Sequence, residues 1–286
     1  MIKVFTTRFD FEHYRNQLGL KKIGLVPTMG NLHKGHISLV EKSIDENDIT
    51  VITIFVNPKQ FGPNEDFDKY PRTLDEDLAK ISSIALLIES QKDIVVFAPK
   101  TNEEIYPEGF STNISVGEKM TQKLEGRVRP SHFDGVTTVV YRLFSIVKAH
   151  TAYFGQKDVQ QCLIINKMVR DLDIPVKIHI MPIVRNAEGL ALSSRNQYLI
   201  GKEREEALIL PQTILKIEKL IRTKQDYKIF VSEALKDKRW DYLEILDAKN
   251  LEAPNDKTEE LVIVAAFRSG TTRLLDNILL PLNTGK

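Results

Sequence analysis

The chain has 286 residues, 42% of them hydrophobic and 28% charged, with a formal net charge of +1. This length allows two domains, or one large α/β domain with an appendage, and the composition is that of an ordinary soluble globular protein. No global positive field favours nucleic acid or an anionic membrane, so a polyanionic ligand must be held by local groups.

One cysteine, Cys162, excludes an intrachain disulfide framework and suits a reducing compartment; it reads as a packed helix residue. The start, Met1-Ile2-Lys3-Val4-Phe5, lacks the longer apolar core of a secretion signal. No apolar run reaches the roughly 18 residues expected of a membrane span. The expectation is a cytoplasmic protein with neither a membrane nor a nucleic-acid partner.

In chain order, an apolar strand over residues 23–26 leads into Pro27-Thr28-Met29-Gly30-Asn31-Leu32-His33-Lys34-Gly35-His36, and an amphipathic helix begins at Ile37. Strand, glycine turn and helix N-terminus together favour phosphate, through unpaired N–H groups and the positive end of the helix dipole. Two imidazoles beside that end add donors for charge on a phosphorus oxygen. Gly35 leaves room for close approach to the backbone. A lone His-x-x-His also fits a zinc pair or two exposed polar residues. Zinc needs further ligands, and His13, His132, His150 and His179 form no second short-spaced pair.

A β-branched run over 49–56 reads as a strand covered on both faces, 74–88 as a helix, and 94–97 as another buried strand. Next come a helix over 136–147, a strand over 152–154, a helix from Val159 and a strand over 176–181. Alternating β and α elements predict a parallel sheet with right-handed crossovers and helices on both faces, a Rossmann-like α/β fold. Ligands in such sheets lie beyond the carboxyl ends of the strands. The turns at Thr28-Met29-Gly30, Asn57-Pro58-Lys59-Gln60 and Gly155-Gln156-Lys157-Asp158 are therefore expected to face one crevice. The acidic run Asp75-Glu76-Asp77 reads as a first helical turn that complements the dipole.

Beyond about 183 the texture changes. One charged helix is predicted over 202–223 and another over 227–238, followed by strands over 242–246, 261–267 and 272–278 in a small antiparallel sheet. The predicted boundary lies at 182: a catalytic domain over 1–182 and a smaller α+β lid domain over 183–286, hinged so that Ser193-Ser194-Arg195 can close over the crevice.

Several residues offer counter-charge to a triphosphate. Lys157 stands at a strand-to-helix turn where ammonium and backbone N–H groups can act together. Asp158 suits ribose hydroxyls or helix capping equally. Ser193-Ser194-Arg195 supplies hydroxyls and a guanidinium fork, though the same triplet is common loop material. Gln60 and Gln161 carry amides that both donate and accept, which suits a small hydroxy acid; glutamines are otherwise ordinary solvated residues.

The run Pro27–His36 resembles the His-x-Gly-His motif of nucleotidyl-transferring α/β enzymes. Taken with Phe55-Val56-Asn57-Pro58-Lys59-Gln60-Phe61-Gly62, Tyr70-Pro71-Arg72-Thr73, Arg129-Pro130-Ser131-His132-Phe133-Asp134-Gly135-Val136, Phe154-Gly155-Gln156-Lys157-Asp158 and Leu192-Ser193-Ser194-Arg195-Asn196, it is similar to the pantoate–β-alanine ligases. The resemblance implies an ATP-dependent ligase that joins pantoate to β-alanine through pantoyl adenylate, with Mg²⁺ accompanying ATP, and a homodimer. It implies ATP contacts at Met29, Gly30, Asn31, Leu32, His33, Lys34, Gly35, His36, Gly155, Gln156, Lys157, Asp158, Val184, Leu192, Ser193, Ser194 and Arg195. His36, matched to a proton donor, His33 and Lys157 become the catalytic candidates. Gln60 is implied on pantoate near the β-alanine position and Gln161 on pantoate, with Asn57 assisting. Gln156 and Leu192 stand where the family pattern has Glu and Met. Two other readings stay open: a nucleotidyltransferase acting on a phosphorylated small acceptor, and a non-catalytic nucleotide-binding regulator.

Overall fold

The computed structural model describes residues 2–63, 65, 67–87 and 92–282. The chain divides into two units: Met1–Gly155 with Gln160–Met181, and Gln156–Val159 with Pro182–Lys286.

In the first unit, β1 (Ile2–Phe5), β2 (Ile23–Thr28), β3 (Ile49–Ile54), β4 (Asp93–Phe97), β5 (Thr151–Gly155) and β6 (Lys177–Met181) form one six-stranded sheet in the order β1-β4-β3-β2-β5-β6. Every pairing is parallel. The helices are α1 (Arg8–Asn16), α2 (Lys34–Glu46), α3 (Leu74–Leu87), the short α4 (Glu118–Thr121) and α5 (Glu125–Val128), α6 (His132–Val147) and α7 (Val159–Asp171). Residue 88, the end of the predicted 74–88 helix, lies outside the described residues.

Side-chain alternation along β4 puts helices on both faces. Ile94 and Val96 join Val26 and Ile52 in a cluster with Leu39, Val40 and Ile44 of α2 and Ile81 and Ile84 of α3. Phe97 points the other way and stacks on Phe11 of α1 at 4.7 Å. Both faces being covered explains why β2 and β3 read as nearly continuous apolar runs. β1 and α1, which the sequence reading passed over, complete one edge of the sheet. From β2 the chain winds through β3 toward that edge, and from β5 to β6 it winds the other way. The switch point therefore lies between β2 and β5, with the turn after Thr28 and Gly155 at their carboxyl ends.

The second unit holds α8 (Lys202–Ala207), α9 (Ile209–Arg222), α10 (Lys228–Ala234) and the strands β7 (Trp240–Asp247), β8 (Glu260–Ser269) and β9 (Thr272–Pro281). The strands form an antiparallel sheet in the order β7-β8-β9. Leu210, Ile214 and Ile217 of α9 pack on Ile263, Ala265 and Phe267 of β8. The single helix predicted over 202–223 is two helices that break at Leu208. Pro211 has no N–H for the carbonyl of Ala207 and its ring crowds that oxygen, so the helix cannot run through.

Candidate active site

The β2–α2 turn is built around its two histidines. His33 is the N-cap of α2, and its Nδ1 accepts from the Gly35 N–H at 3.1 Å. His36 answers from the third helical position, its Nδ1 accepting from the His33 N–H at 3.3 Å. This is a capping box in which both members are imidazoles, with ring centroids 4.1 Å apart. A neutral ring whose Nδ1 accepts a backbone N–H carries its proton on Nε2. The cap thus fixes both tautomers and makes each Nε2 a donor. A Cβ at Gly35 would stand 2.9 Å from Cε1 of His33, so the missing side chain makes room for that ring.

The turn is anchored from below by Asp77. Its carboxylate is fully buried and accepts the backbone N–H groups of Asn31 at 2.8 Å and Leu32 at 2.7 Å. Thr73 donates its hydroxyl to the same carboxylate at 3.2 Å, and the Lys80 ammonium, which donates to the Leu32 carbonyl at 2.9 Å, lies 3.8 Å away. Asp77 is the acidic first-turn residue the sequence predicts, and it also holds the turn before α2. Two amide donors on one carboxylate set the path of residues 30–33. The Leu32 side chain is buried in the α2–α3 cluster, and Lys34 is exposed.

Gln60 comes to this turn from the loop after β3, its Nε2 donating to Met29 Sδ at 3.1 Å. The block 129–136 holds that loop. His132 Nδ1 donates to the Gln60 carbonyl at 2.8 Å and accepts at Nε2 from Arg129, whose guanidinium also grips Glu65. Arg129 thereby holds the Glu65 carboxyl below its ordinary value. A Cβ at Gly135 would lie 2.2 Å from the Lys59 carbonyl oxygen, so α6 starts close against the loop because residue 135 has no side chain. Asn57 is 1% exposed and makes four hydrogen bonds inside the protein. Of the paired glutamines on α7, Gln160 is buried and ties the chain at Glu125, Met120 and Lys123, while Gln161 is half-buried. Cys162 is buried and its thiol donates to the Gly155 carbonyl.

The remaining candidates lie in the second unit, in two loops tied to one strand. Asn277 of β9 donates to the carbonyls of Gln156 and Lys157 at 2.9 and 3.1 Å, and accepts from the Gln156 amide at 3.1 Å. Asp276 forms a two-pronged pair with Arg185 at 2.7 and 2.8 Å. Arg185 bridges Ala191 across a hairpin in which the Leu192 N–H donates to the Val184 carbonyl at 2.9 Å. Beyond it, Ser193 caps a short turn through the Arg195 N–H. Arg195 and Asp158 are exposed, and Lys157 is half-buried with its ammonium 3.8 Å from Asp158. The Ser194 side chain lies outside what is described. Sequence reasoning missed both Asp276 and Asn277. Their signal was a polar pair interrupting an apolar strand, Leu274-Leu275-Asp276-Asn277-Ile278-Leu279.

Among the described residues no group of three or more His, Cys, Asp or Glu side chains is arranged to hold a metal ion. No helix in them is long and apolar enough to cross a membrane.

A family model described as pantoate-beta-alanine ligase matches residues 3–279. A pantothenate synthetase of Acetivibrio thermocellus is 47% identical over 264 residues, covering 90% of this chain and 91% of the relative. Among solved structures, a pantothenate synthetase from Thermus thermophilus is 41% identical with a TM-score of 0.84, covering 96% of this chain and 98% of that one. A pantoate-beta-alanine ligase from Francisella tularensis, complexed with beta-gamma ATP and beta-alanine, is 34% identical with a TM-score of 0.73 and covers 98% of both chains.

Proposed function

The chain belongs to the pantoate–β-alanine ligase family, and on that premise we propose how its residues divide the work. The reaction condenses pantoate with β-alanine at the expense of ATP. A pantoate carboxylate oxygen attacks the α-phosphorus, the bond from that phosphorus to the bridging oxygen breaks, and pyrophosphate leaves. The β-alanine ammonium loses one proton to solvent, the amine attacks the acyl carbonyl of pantoyl adenylate, and the nitrogen gives up a second proton to solvent as the adduct collapses. The carbon–oxygen bond to the phosphate then breaks and AMP leaves. Neither step needs a nucleophilic side chain; the protein aligns reactants and stabilises charge.

His33 and His36 direct their Nε2–H donors at phosphate oxygens whose charge grows as pyrophosphate departs, and His36, in the proton-donor position, gives a hydrogen bond there without net transfer of its proton. Because both rings are fixed by the backbone, they need no reorganisation during the step. Lys157, Arg195 and Ser193 add charge and donors, with Asp158 on the ribose, Gln60 and Gln161 on pantoate, and β-alanine beside Gln60. Mg²⁺ bound with ATP would neutralise phosphate charge, and it would take few ligands from the protein. Residues 1–182 bind ATP and pantoate, 183–286 serve as a lid, and the working form is a cytoplasmic homodimer.

The observation that carries this reading is the imidazole cap, two donors of fixed tautomer at a helix N-terminus, with the Gln60 amide on Met29 of the turn that precedes it. Its test is pyrophosphate–ATP exchange. Exchange is expected with pantoate alone, and AMP release only once β-alanine is added. Exchange without pantoate would favour a nucleotidyltransferase, and ATP binding without exchange a regulator.

A further inference from the structure

A glutamine amide has two ends of opposite polarity, and the end that meets a substrate decides what the residue can recognise. At Gln60 the choice is settled by the backbone. The N–H of Lys59 can only donate, and its partner 3.2 Å away is Oδ1 of Asn57. The Tyr106 hydroxyl donates to the same oxygen at 2.8 Å. The Asn57 nitrogen therefore occupies the other end, where the Gly135 carbonyl, which can only accept, lies 3.1 Å away. That nitrogen also reaches Gln60 at 3.1 Å, so the Gln60 atom facing it is Oε1. Nε2 is left on the side of Met29, whose sulfur is a weak acceptor that a stronger one can displace.

We propose that Tyr106 is a positioning residue which, through Asn57, holds Gln60 with its amide N–H₂ toward the β2–α2 turn, so that Gln60 recognises pantoate through an acceptor oxygen. The inference rests on the reading that Gln60 binds pantoate, and it moves Asn57 from substrate contact to relay. Tyr106 is 8% exposed, packed against Phe55 and Phe110 with the Lys59 ammonium 5.4 Å from its ring centre. Burial pushes ionisation of its hydroxyl far above the ordinary value, so it remains a donor at any working pH.

The test compares Gln60→Ala, Tyr106→Phe and Asn57→Asp, each checked for native melting. Asn57→Asp is nearly isosteric, but a carboxylate lets Gln60 turn its Nε2 inward and present Oε1 instead. Gln60→Ala and Asn57→Asp are expected to raise the KM for pantoate about 10-fold to 100-fold, as loss of one donor to a charged or hydroxyl group does. Tyr106→Phe is expected to raise it about threefold, and none of the three to move the KM for ATP comparably. A readout in the unaltered enzyme is the ¹⁵N-resolved Gln60 side-chain amide, whose protons move downfield when pantoate binds. If Gln60→Ala raises the pantoate KM while Asn57→Asp and Tyr106→Phe do not, the relay is wrong and the substrate reading stands. If Gln60→Ala leaves that KM unchanged, or the amide protons do not respond to pantoate, both fall.

Discussion

At the scale of single residues, the capping of His36 and its proposed catalytic role are separable by substitution. Its Nδ1 completes the cap, and its Nε2 is the proposed donor to phosphate. Glutamine at the third helical position can keep the reciprocal bond to the His33 N–H but offers no imidazole. His36→Gln is therefore expected to melt within a degree or two of the unaltered enzyme while kcat falls roughly 10²-fold, the usual effect of losing a transition-state donor. His36→Ala should lose similar activity and also about 1 kcal/mol of stability with the cap. A His36→Gln enzyme with near-normal kcat would leave the ring a purely structural part. The two histidines and the glycine between them were legible in the sequence because their spacing is local. Asp77 was not, although it shapes the same turn: its partner Asn31 is 46 residues away, and an acidic residue in a first turn already has a sufficient local explanation. Tyr106 carried no motif at all. Its role comes from a burial and a hydrogen bond that only the fold creates.

Among elements, β9 does more than close a small sheet. Consecutive buried residues on it hold both candidate loops of the second unit, Asp276 through Arg185 and Asn277 through the carbonyls of Gln156 and Lys157. Asp276 is 1% exposed and also accepts the Asn277 N–H at 2.8 Å, so its removal strands a backbone donor and leaves the half-buried Arg185 with the Gly189 carbonyl. Breaking a fully buried pair from one side typically costs about 3 kcal/mol, an upper bound here because Arg185 is partly exposed. Asp276→Ala should lower stability by up to that much in chemical denaturation, with a raised KM for ATP because the 184–195 hairpin loses its tether. A loss below about 1 kcal/mol would mean that the hairpin is held by something else. All the parallel strands but β1, the antiparallel sheet and most helices could be read from apolar periodicity, since each signal lies within one element. What periodicity overran was the 202–223 helix, where the amphipathic pattern continues through Pro211 but the hydrogen-bond ladder does not. Gln156 uses its amide to donate to Asn277 and so has a structural use of its own.

For the whole molecule, the proposed ATP contacts fall in both units, and that division has a thermodynamic consequence. A ligand that touches groups in two units favours the state in which both are ordered, by RT ln(1 + [L]/Kd), or about 2.7 kcal/mol at a hundredfold excess over Kd. Its effect on local opening should then appear in each unit. Hydrogen exchange reports such openings separately, because loop amides exchange through local motion while those of β2 and β3, paired and buried, await larger unfolding. With ATP, Mg²⁺ and pantoate present, amides over 29–36 in the first unit and over 184–196 in the second are both expected to slow. Those of α10, which carries no candidate residue, should change little. Pantoate alone should slow the region around Gln60 without affecting 184–196, because no pantoate candidate lies in the second unit. ATP-dependent slowing confined to 29–36 would place the nucleotide wholly on the first unit and remove Lys157 and Arg195 from the chemistry. Slowing confined to 184–196 would remove the imidazole cap instead, and with it the feature on which the reaction scheme is built.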